Sequence, residues 1–110
     1  MFKLTTHHSY SWPVIVQTPV DGGKFTKATF DATFKVIPQE RIDAIVRGGN
    51  VDAELLCEVT QGWKGVQDDD GQDLPFSEEA RDRLLSVPYV RAGLVDAYLD
   101  SLSGGARRKN

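Results

Sequence analysis

Two stretches in the first third of the chain show the hydrophobic pattern of β-strands. Residues 14–16 are a short β-branched run, and such residues favour strands. From residue 25 to 37 apolar and polar positions alternate with period two, which indicates a half-buried strand. Gly22 and Gly23 favour a turn between them, so the pattern predicts an antiparallel β-hairpin with one face on a core. The residues of the second strand predicted to face the core are Phe30, Ala32, Phe34 and Val36.

The spacing of apolar residues becomes helical after Pro38, whose missing N–H fits the first turn of a helix. This short helix should end at the Gly48-Gly49 pair. A second helix is predicted over residues 51–61, with Gly62 closing it. The residues predicted to face inward are Ile42, Ile45 and Val46 in the first helix, and Val51, Leu55, Leu56 and Val59 in the second.

Two further helices are predicted after residue 76. Ser77 is of the residue type that caps helix N-termini. Because proline inside a helix costs about 3 kcal/mol, the first of these helices should end near Leu85. Ser86 should then cap a new helix with Pro88 near its start. The apolar stripes comprise Ala80, Leu84 and Val87 in the first helix, and Leu94, Val95, Tyr98, Leu99 and Leu102 in the second.

Strands followed by a run of helices indicate an α+β fold. We expect an N-terminal antiparallel β-hairpin or small sheet, with about four α-helices packed on one face. A chain of 110 residues has the size of one domain, which we predict to span residues 1–105. Residues 106–110, Ala-Arg-Arg-Lys-Asn, should form a flexible basic tail.

The segment from residue 63 to 76 has the composition of a loop, with four aspartates, two glycines and a proline. Trp63 and Val66 precede its acidic part, and Leu74 and Phe76 follow it. We therefore expect an acidic turn pinned at both ends into a core. An indole removes about 150–250 Å² from water when buried, so Trp63 can hold this polar loop in place.

In order, this part of the chain contains Trp63-Lys64-Gly65-Val66, an acidic turn ending at Gly71, and Leu74-Pro75-Phe76-Ser77 before a helix. That arrangement resembles the hallmark of the tail assembly chaperones of long-tailed phages and prophages. The order of the flanking elements is also similar: a β region and a helix pair before the segment, then helices and a basic tail. The resemblance extends from about residue 30 to the end, and its specific part is the segment itself.

The resemblance implies a non-enzymatic role with two partners. Copies of such proteins coat the long tape-measure protein, keep it soluble and help recruit the tail tube protein. They act in the cytoplasm of the bacterial host and are absent from the mature virion. Many weak, reversible apolar contacts would allow such proteins to shield the tape-measure protein before assembly and to be released from it as the tube forms.

Two groups of residues are candidates for partner contact. The hallmark residues are assigned first to the fold and second to a partner. The last helix has an apolar arc wide enough either to face its own core entirely or to leave part exposed for a partner or for self-association, and Gly93 allows another backbone to approach closely. The candidates are Trp63, Val66, Leu74, Phe76, Leu94, Tyr98, Leu99 and Leu102, with Gly65, Gly71 and Pro75 as further hallmark residues.

Composition and charge exclude several classes. With 40% hydrophobic and 26% charged residues, the chain is typical of a folded protein. A net charge of −3 argues against nucleic-acid binding, and no apolar run approaches the roughly 20 residues needed to cross a bilayer. The N-terminal residues lack the pattern of a signal peptide, and one cysteine allows no internal disulfide, so we expect a cytoplasmic protein.

Candidate catalytic and metal-binding residues give no coherent site. Aligning the acidic turn on a calcium-binding EF-hand loop places Val66 and Ser77 where carboxylates are required. His7 and His8 would point to opposite faces of a strand. Cys57, beside a glutamate, is better explained as a small packed side chain than as a nucleophile. We therefore expect no metal, cofactor or catalytic residue.

Other functions remain open at this point. The chain could be a small structural tail component (a tube, terminator or joining protein) that stays in the virion and forms rings by edge-strand pairing of its hairpin. It could also be a regulatory or adaptor domain unrelated to phages. An enzyme is the third alternative, and would need a concave pocket holding carboxylates with shifted pKa values.

Overall fold

The computed structural model describes residues 1–5 and 8–104. The predicted basic tail, Gly105 and His7 lie outside the described residues. Within them, a three-stranded antiparallel sheet and four helices confirm the α+β prediction. The elements are β1 (Ser9–Val20), β2 (Lys24–Lys35), α1 (Gln39–Gly48), α2 (Val51–Val59), β3 (Thr60–Lys64), α3 (Glu78–Leu85) and α4 (Pro88–Leu102).

The predicted hairpin is present and is longer than the sequence pattern indicated. β1 and β2 pair along twelve residues, from Ser9 opposite Lys35 to Val20 opposite Lys24. Burial alternates along β1, so one face of this ribbon lies on the core as predicted. β1 begins five residues before Val14, because aromatic side chains at alternate positions continue the inward face.

The prediction of a helix over residues 51–61 was wrong at its C-terminal end. α2 ends at Val59, and the next five residues form β3 beside β2. Trp63 is paired with Ala32 and therefore lies on a strand rather than in a loop. The pairing shifts register between Thr33 and Phe34, as in a β-bulge. The strand was missed because its partner is distant in sequence, whereas the helical period of α2 is local.

Apart from Gly62, which does not close α2, the helix boundaries follow the capping signals with two corrections. Pro38, predicted in the first turn of α1, is instead its N-cap. Gly49 ends α1 in the left-handed conformation, at a φ of 87°, as its glycine predicted. Ser77 is the N-cap of α3, where its Oγ accepts a 3.0 Å hydrogen bond from the Ala80 N–H. Ser86 does not cap α4, contrary to the prediction. Its Oγ donates to the carbonyl of Arg83 at the end of α3, and Val87 precedes Pro88 as the N-cap of α4.

The core is built from the sheet and the helices that follow it. Two residues predicted to face inward are instead exposed: Val36 at 44% and Val46 at 54%. β2 ends at Lys35, so the alternation stops there and Ile37 is buried in place of Val36. The core consists of Val14, Val16, Ala32, Phe34, Ile37, Ile45, Leu55, Leu56, Val59, Leu85, Leu94, Ala97 and Tyr98.

The last helix, α4, packs mainly against β1. Tyr98 is fully buried; its ring centroid lies 5.2 Å from that of Phe34, and its hydroxyl donates to the carbonyl of Lys35 at 3.1 Å. Gly93 faces the edge strand so closely that a Cβ there would lie 2.6 Å from the carbonyl oxygen of Ile15. This confirms the prediction that Gly93 permits close backbone approach.

Candidate partner-binding site

The acidic segment after β3 folds into a small hairpin, which we call the acidic hairpin (residues 66–74). The N–H of Leu74 donates to the carbonyl of Val66 at 2.9 Å, and the N–H of Asp68 donates to the carbonyl of Gln72 at 2.8 Å. These bonds enclose a bridge between residues 67 and 73. The sequence predicted a loop here and did not predict this pairing.

The turn of the acidic hairpin is organised by one aspartate. Asp68 Oδ1 accepts hydrogen bonds from the backbone N–H groups of Asp70, at 2.9 Å, and Gln72, at 3.0 Å. Gly71 completes the turn with a φ of 77°, and its N–H donates to the carbonyl of Asp68. Asp68 therefore acts as a turn former, which is a common role of aspartate in loops.

Three hallmark residues hold the base of the acidic hairpin, and we call them the aromatic clamp (Trp63, Leu74 and Phe76). The indole Nε1–H of Trp63 donates to the carbonyl of Leu74 at 2.7 Å. The rings of Trp63 and Phe76 pack edge to face, with centroids 4.9 Å apart. Both rings are half-buried, and neither belongs to the main core cluster of the described residues. The acidic hairpin is thus held at its base by Trp63 of β3 and by Phe76, which contact each other and are not part of the main core cluster, and this differs from the expectation.

Gly65 allows the backbone to bend between the end of β3 and the acidic hairpin. Its φ of 86° lies in the region that L side chains rarely adopt, so glycine suits the bend after β3. A Cβ at this position would also lie 3.7 Å from the Cβ of Phe30 on β2. Pro75, the remaining hallmark residue, is exposed between Leu74 and Phe76.

An apolar groove of about 310 Å³ lies beside the aromatic clamp. Its floor includes Leu74, Pro75 and Phe76, and Ala80 of α3 contributes to its wall. Ser77, the acidic side chain of Glu79 and the basic side chain of Arg83 also line it. The hallmark segment therefore forms both a structural unit and a concave apolar surface.

The structure divides the candidate residues of α4 into two pairs. Leu94 and Tyr98 are fully buried, which assigns them to the core of this chain. Leu99 and Leu102 are 37% and 41% exposed. Leu102 also lines a cavity of about 320 Å³ between the end of α4 and the start of β1, together with exposed Val36. Val36 was not among the sequence candidates, because the period-two pattern of β2 placed it on the same inward face as Phe34.

The described residues contain no group of three or more His, Cys, Asp or Glu side chains placed to hold a metal ion. Cys57 is half-buried, with its thiol 4.0 Å from a carboxylate oxygen of Asp82. Burial raises the pKa of Tyr98 to about 12. That shift arises in the core, away from the groove, and so describes packing rather than chemistry at a site.

No helix in the described part of the chain has the length and apolarity needed to cross a membrane. Comparisons with protein-family models, curated proteins and solved structures found no match. Fold and site together define a small α+β protein with an aromatic clamp and two exposed apolar surfaces.

Proposed function

We propose that this protein is a tail assembly chaperone of a long-tailed phage or prophage. It binds the tape-measure protein and assists assembly of the tail tube, without catalysing a reaction. It acts in the cytoplasm of the bacterial host and is absent from the mature virion. The basis of the proposal is the resemblance of residues 63–77 to the hallmark of that family.

The observation that carries the proposal is the aromatic clamp. Trp63 is separated from Leu74 and Phe76 by the acidic hairpin, yet one hydrogen bond and one ring contact join it to them. Gly65 and Gly71 occupy the two positive-φ positions that the acidic hairpin requires. The hallmark residues thus contact one another and shape one hairpin. This supports the interpretation that the resemblance reflects a shared structural motif and does not arise by chance from a similar composition.

The exposed apolar residues fit weak, repeated contacts with a long helical partner. Burying one leucine fully contributes about 1.5–3 kcal/mol, and Leu99 and Leu102 are already more than half buried. A single copy would therefore bind weakly through this surface. Many copies bound along one tape-measure chain would together cover its apolar surface, and the tail tube protein could still displace them one at a time.

The alternative of a retained structural component depends on edge-strand pairing, and two features weigh against it. β1, an edge strand, contains Pro13 and Pro19, which have no N–H to donate to a neighbouring strand. The helix α4 also approaches the outer side of β1 at Ile15. Protection of this kind is common on edge strands that do not pair.

The proposal is tested by co-expressing this protein with the gene product encoded immediately downstream of it, which the proposal predicts to be a long coiled-coil protein. The proposal predicts that the downstream product becomes soluble only in the presence of this protein. Mass spectrometry of purified particles should then find the tail tube protein and the tape-measure protein but not this chain. Finding this chain in particles at the copy number of a ring would support the structural alternative instead.

A further inference from the structure

The distal half of the β1–β2 hairpin extends beyond the core. Residues 24–29 of β2 are all exposed, although they remain paired with β1 up to Val20 opposite Lys24. We call residues 19–27 the hairpin tip. Phe25 lies on this tip, opposite Pro19, with 64% of its surface exposed. An aromatic side chain of this exposure on a projecting ribbon is a typical anchor for association.

The apolar groove beside the aromatic clamp is large enough to receive such an anchor. A cavity of about 150 Å³ accommodates benzene, and the groove has about 310 Å³. Leu74, Pro75 and Phe76 provide apolar surface for an inserted ring. Phe76 could also meet the ring edge to face, as it already does with Trp63.

The charges around the two surfaces are complementary. Lys24 and Lys27 flank Phe25, with Asp21 across the turn. Between residues 65 and 80 there are six acidic residues and no basic residue; Arg83, which also lines the groove, follows on α3. Within the described residues, neither lysine of the hairpin tip takes part in an ion pair. A basic tip would thus meet an acidic rim, which favours one orientation of docking.

Both surfaces lie toward the same end of the sheet. β3 runs antiparallel to β2 and ends at Lys64, opposite Asp31, so the chain leaves β3 heading toward the hairpin tip. Gly65 then lies against Phe30, five residues along β2 from Phe25. Each chain thus carries both the hairpin tip and the groove that complements it. Two copies related by a two-fold axis can therefore make the same tip-to-groove contact twice.

We propose that two copies of this protein form a dimer in which Phe25 of each copy inserts into the groove at Leu74, Pro75 and Phe76 of the other. Lys24 and Lys27 lie against the acidic hairpin of the opposite copy in this arrangement. The dimer is independent of the chaperone role, because it needs only this chain. Failure of the dimer would leave the proposed function standing, and the reverse also holds.

The first test is sedimentation equilibrium of the purified protein up to about 1 mM chain, where a Kd of 1 mM would still be detected. The wild type should be a dimer, and Phe25→Ser should raise Kd by about 30- to 1,000-fold, because the substitution removes two equivalent contacts from each dimer. Val46→Ser, a matched loss of an exposed apolar side chain on α1, should leave Kd unchanged. A wild-type monomer at the highest concentration, or equal effects of both variants, would overturn the proposal.

The second test reverses the charges and does not depend on apolar surface. K24E/K27E makes the hairpin tip acidic, and D69K/D70K/D73K makes the acidic hairpin net basic while keeping the turn former Asp68. Both variants alter exposed residues, so both should fold, which circular dichroism would check. Each variant alone should be monomeric at concentrations where the wild type is a dimer. Their equimolar mixture should restore the dimer, because every contact then joins opposite charges again. A mixture that stays monomeric, while both variants are folded, would contradict the proposed pairing.

Discussion

A side-chain hydrogen bond from the indole of Trp63 supports the base of the acidic hairpin, beside the backbone bond from Leu74 to Val66. Trp63→Phe keeps a ring against Phe76 but removes the donor to the Leu74 carbonyl. Losing such a bond costs about 1 kcal/mol, which corresponds to about a fivefold rise in local opening. Amide hydrogen exchange should therefore become about fivefold faster within residues 66–74. Exchange in the paired part of β1 and β2 should not change, and a uniform acceleration across the chain would contradict a local role for the clamp.

Burial of Tyr98 makes stability depend on pH in the alkaline range. Its pKa is raised to about 12 in the folded protein, from an ordinary value near 10. Below about pH 9 the phenol is protonated in both states and contributes almost no slope. Between about pH 10 and 12 the unfolded chain releases this proton more readily, so the free energy of unfolding falls. Urea unfolding at several alkaline pH values should show a shallower fall for Tyr98→Phe than for the wild type.

Tyr89 provides the control for that prediction, since it is an exposed tyrosine on the same helix. Tyr89→Phe should keep the wild-type dependence of the unfolding free energy on pH. If both substitutions changed the slope equally, the buried phenol would not be its source.

The packing of α4 on β1 depends on the absence of one side chain. A Cβ at Gly93 would lie 2.6 Å from a backbone oxygen of Ile15, so Gly93→Ala must move the helix or the strand. Overpacking of this kind costs about 1–3 kcal/mol, and the midpoint of urea unfolding should fall accordingly. Gly48→Ala is the control, because its Cβ would meet only a side-chain atom at 3.8 Å. It should be neutral or slightly stabilising.

Elements with local signals could be predicted from the sequence, and the element that depends on distant pairing could not. The N-cap at Ser77, the left-handed end at Gly49 and the break before Pro88 are encoded within a few residues. β3 is not, because its five residues become a strand only beside β2. The acidic hairpin was missed although its pairing is local, because its polar composition is that of a loop and it depends on two side-chain contacts: Asp68 organises the turn, and Trp63 supports the base from outside the segment.

For the candidate site, the sequence predicted which residues take part but not how they contact one another. The sequence identified the residues of the aromatic clamp, but not that they contact one another instead of the core. On α4 the apolar arc did not distinguish buried Tyr98 from exposed Leu99, because tertiary packing decides which side of a wide arc meets the sheet. Phe25 was predicted only as the start of a strand, and its exposure follows from how far the hairpin extends beyond the core.

At the scale of the whole molecule, the apolar surfaces lie in separate places. Leu99 and Leu102 lie at the C-terminal end of α4, whereas the groove of the aromatic clamp lies at the start of α3. Under the two proposals, the surface on α4 contacts the tape-measure protein while the groove contacts a second copy. Leu99→Ser with Leu102→Ser should weaken binding to the tape-measure protein without changing self-association, as measured by co-purification and by sedimentation of each species. Loss of both activities together would indicate that the surfaces are not separate.

The proposed function requires several copies of this chain to bind one tape-measure protein. Size-exclusion chromatography with light scattering on the co-expressed pair gives the mass of any such complex. We expect one soluble peak whose mass equals one downstream-encoded chain plus several copies of this protein. A soluble peak containing this protein alone, with the downstream product in the insoluble fraction, would contradict it.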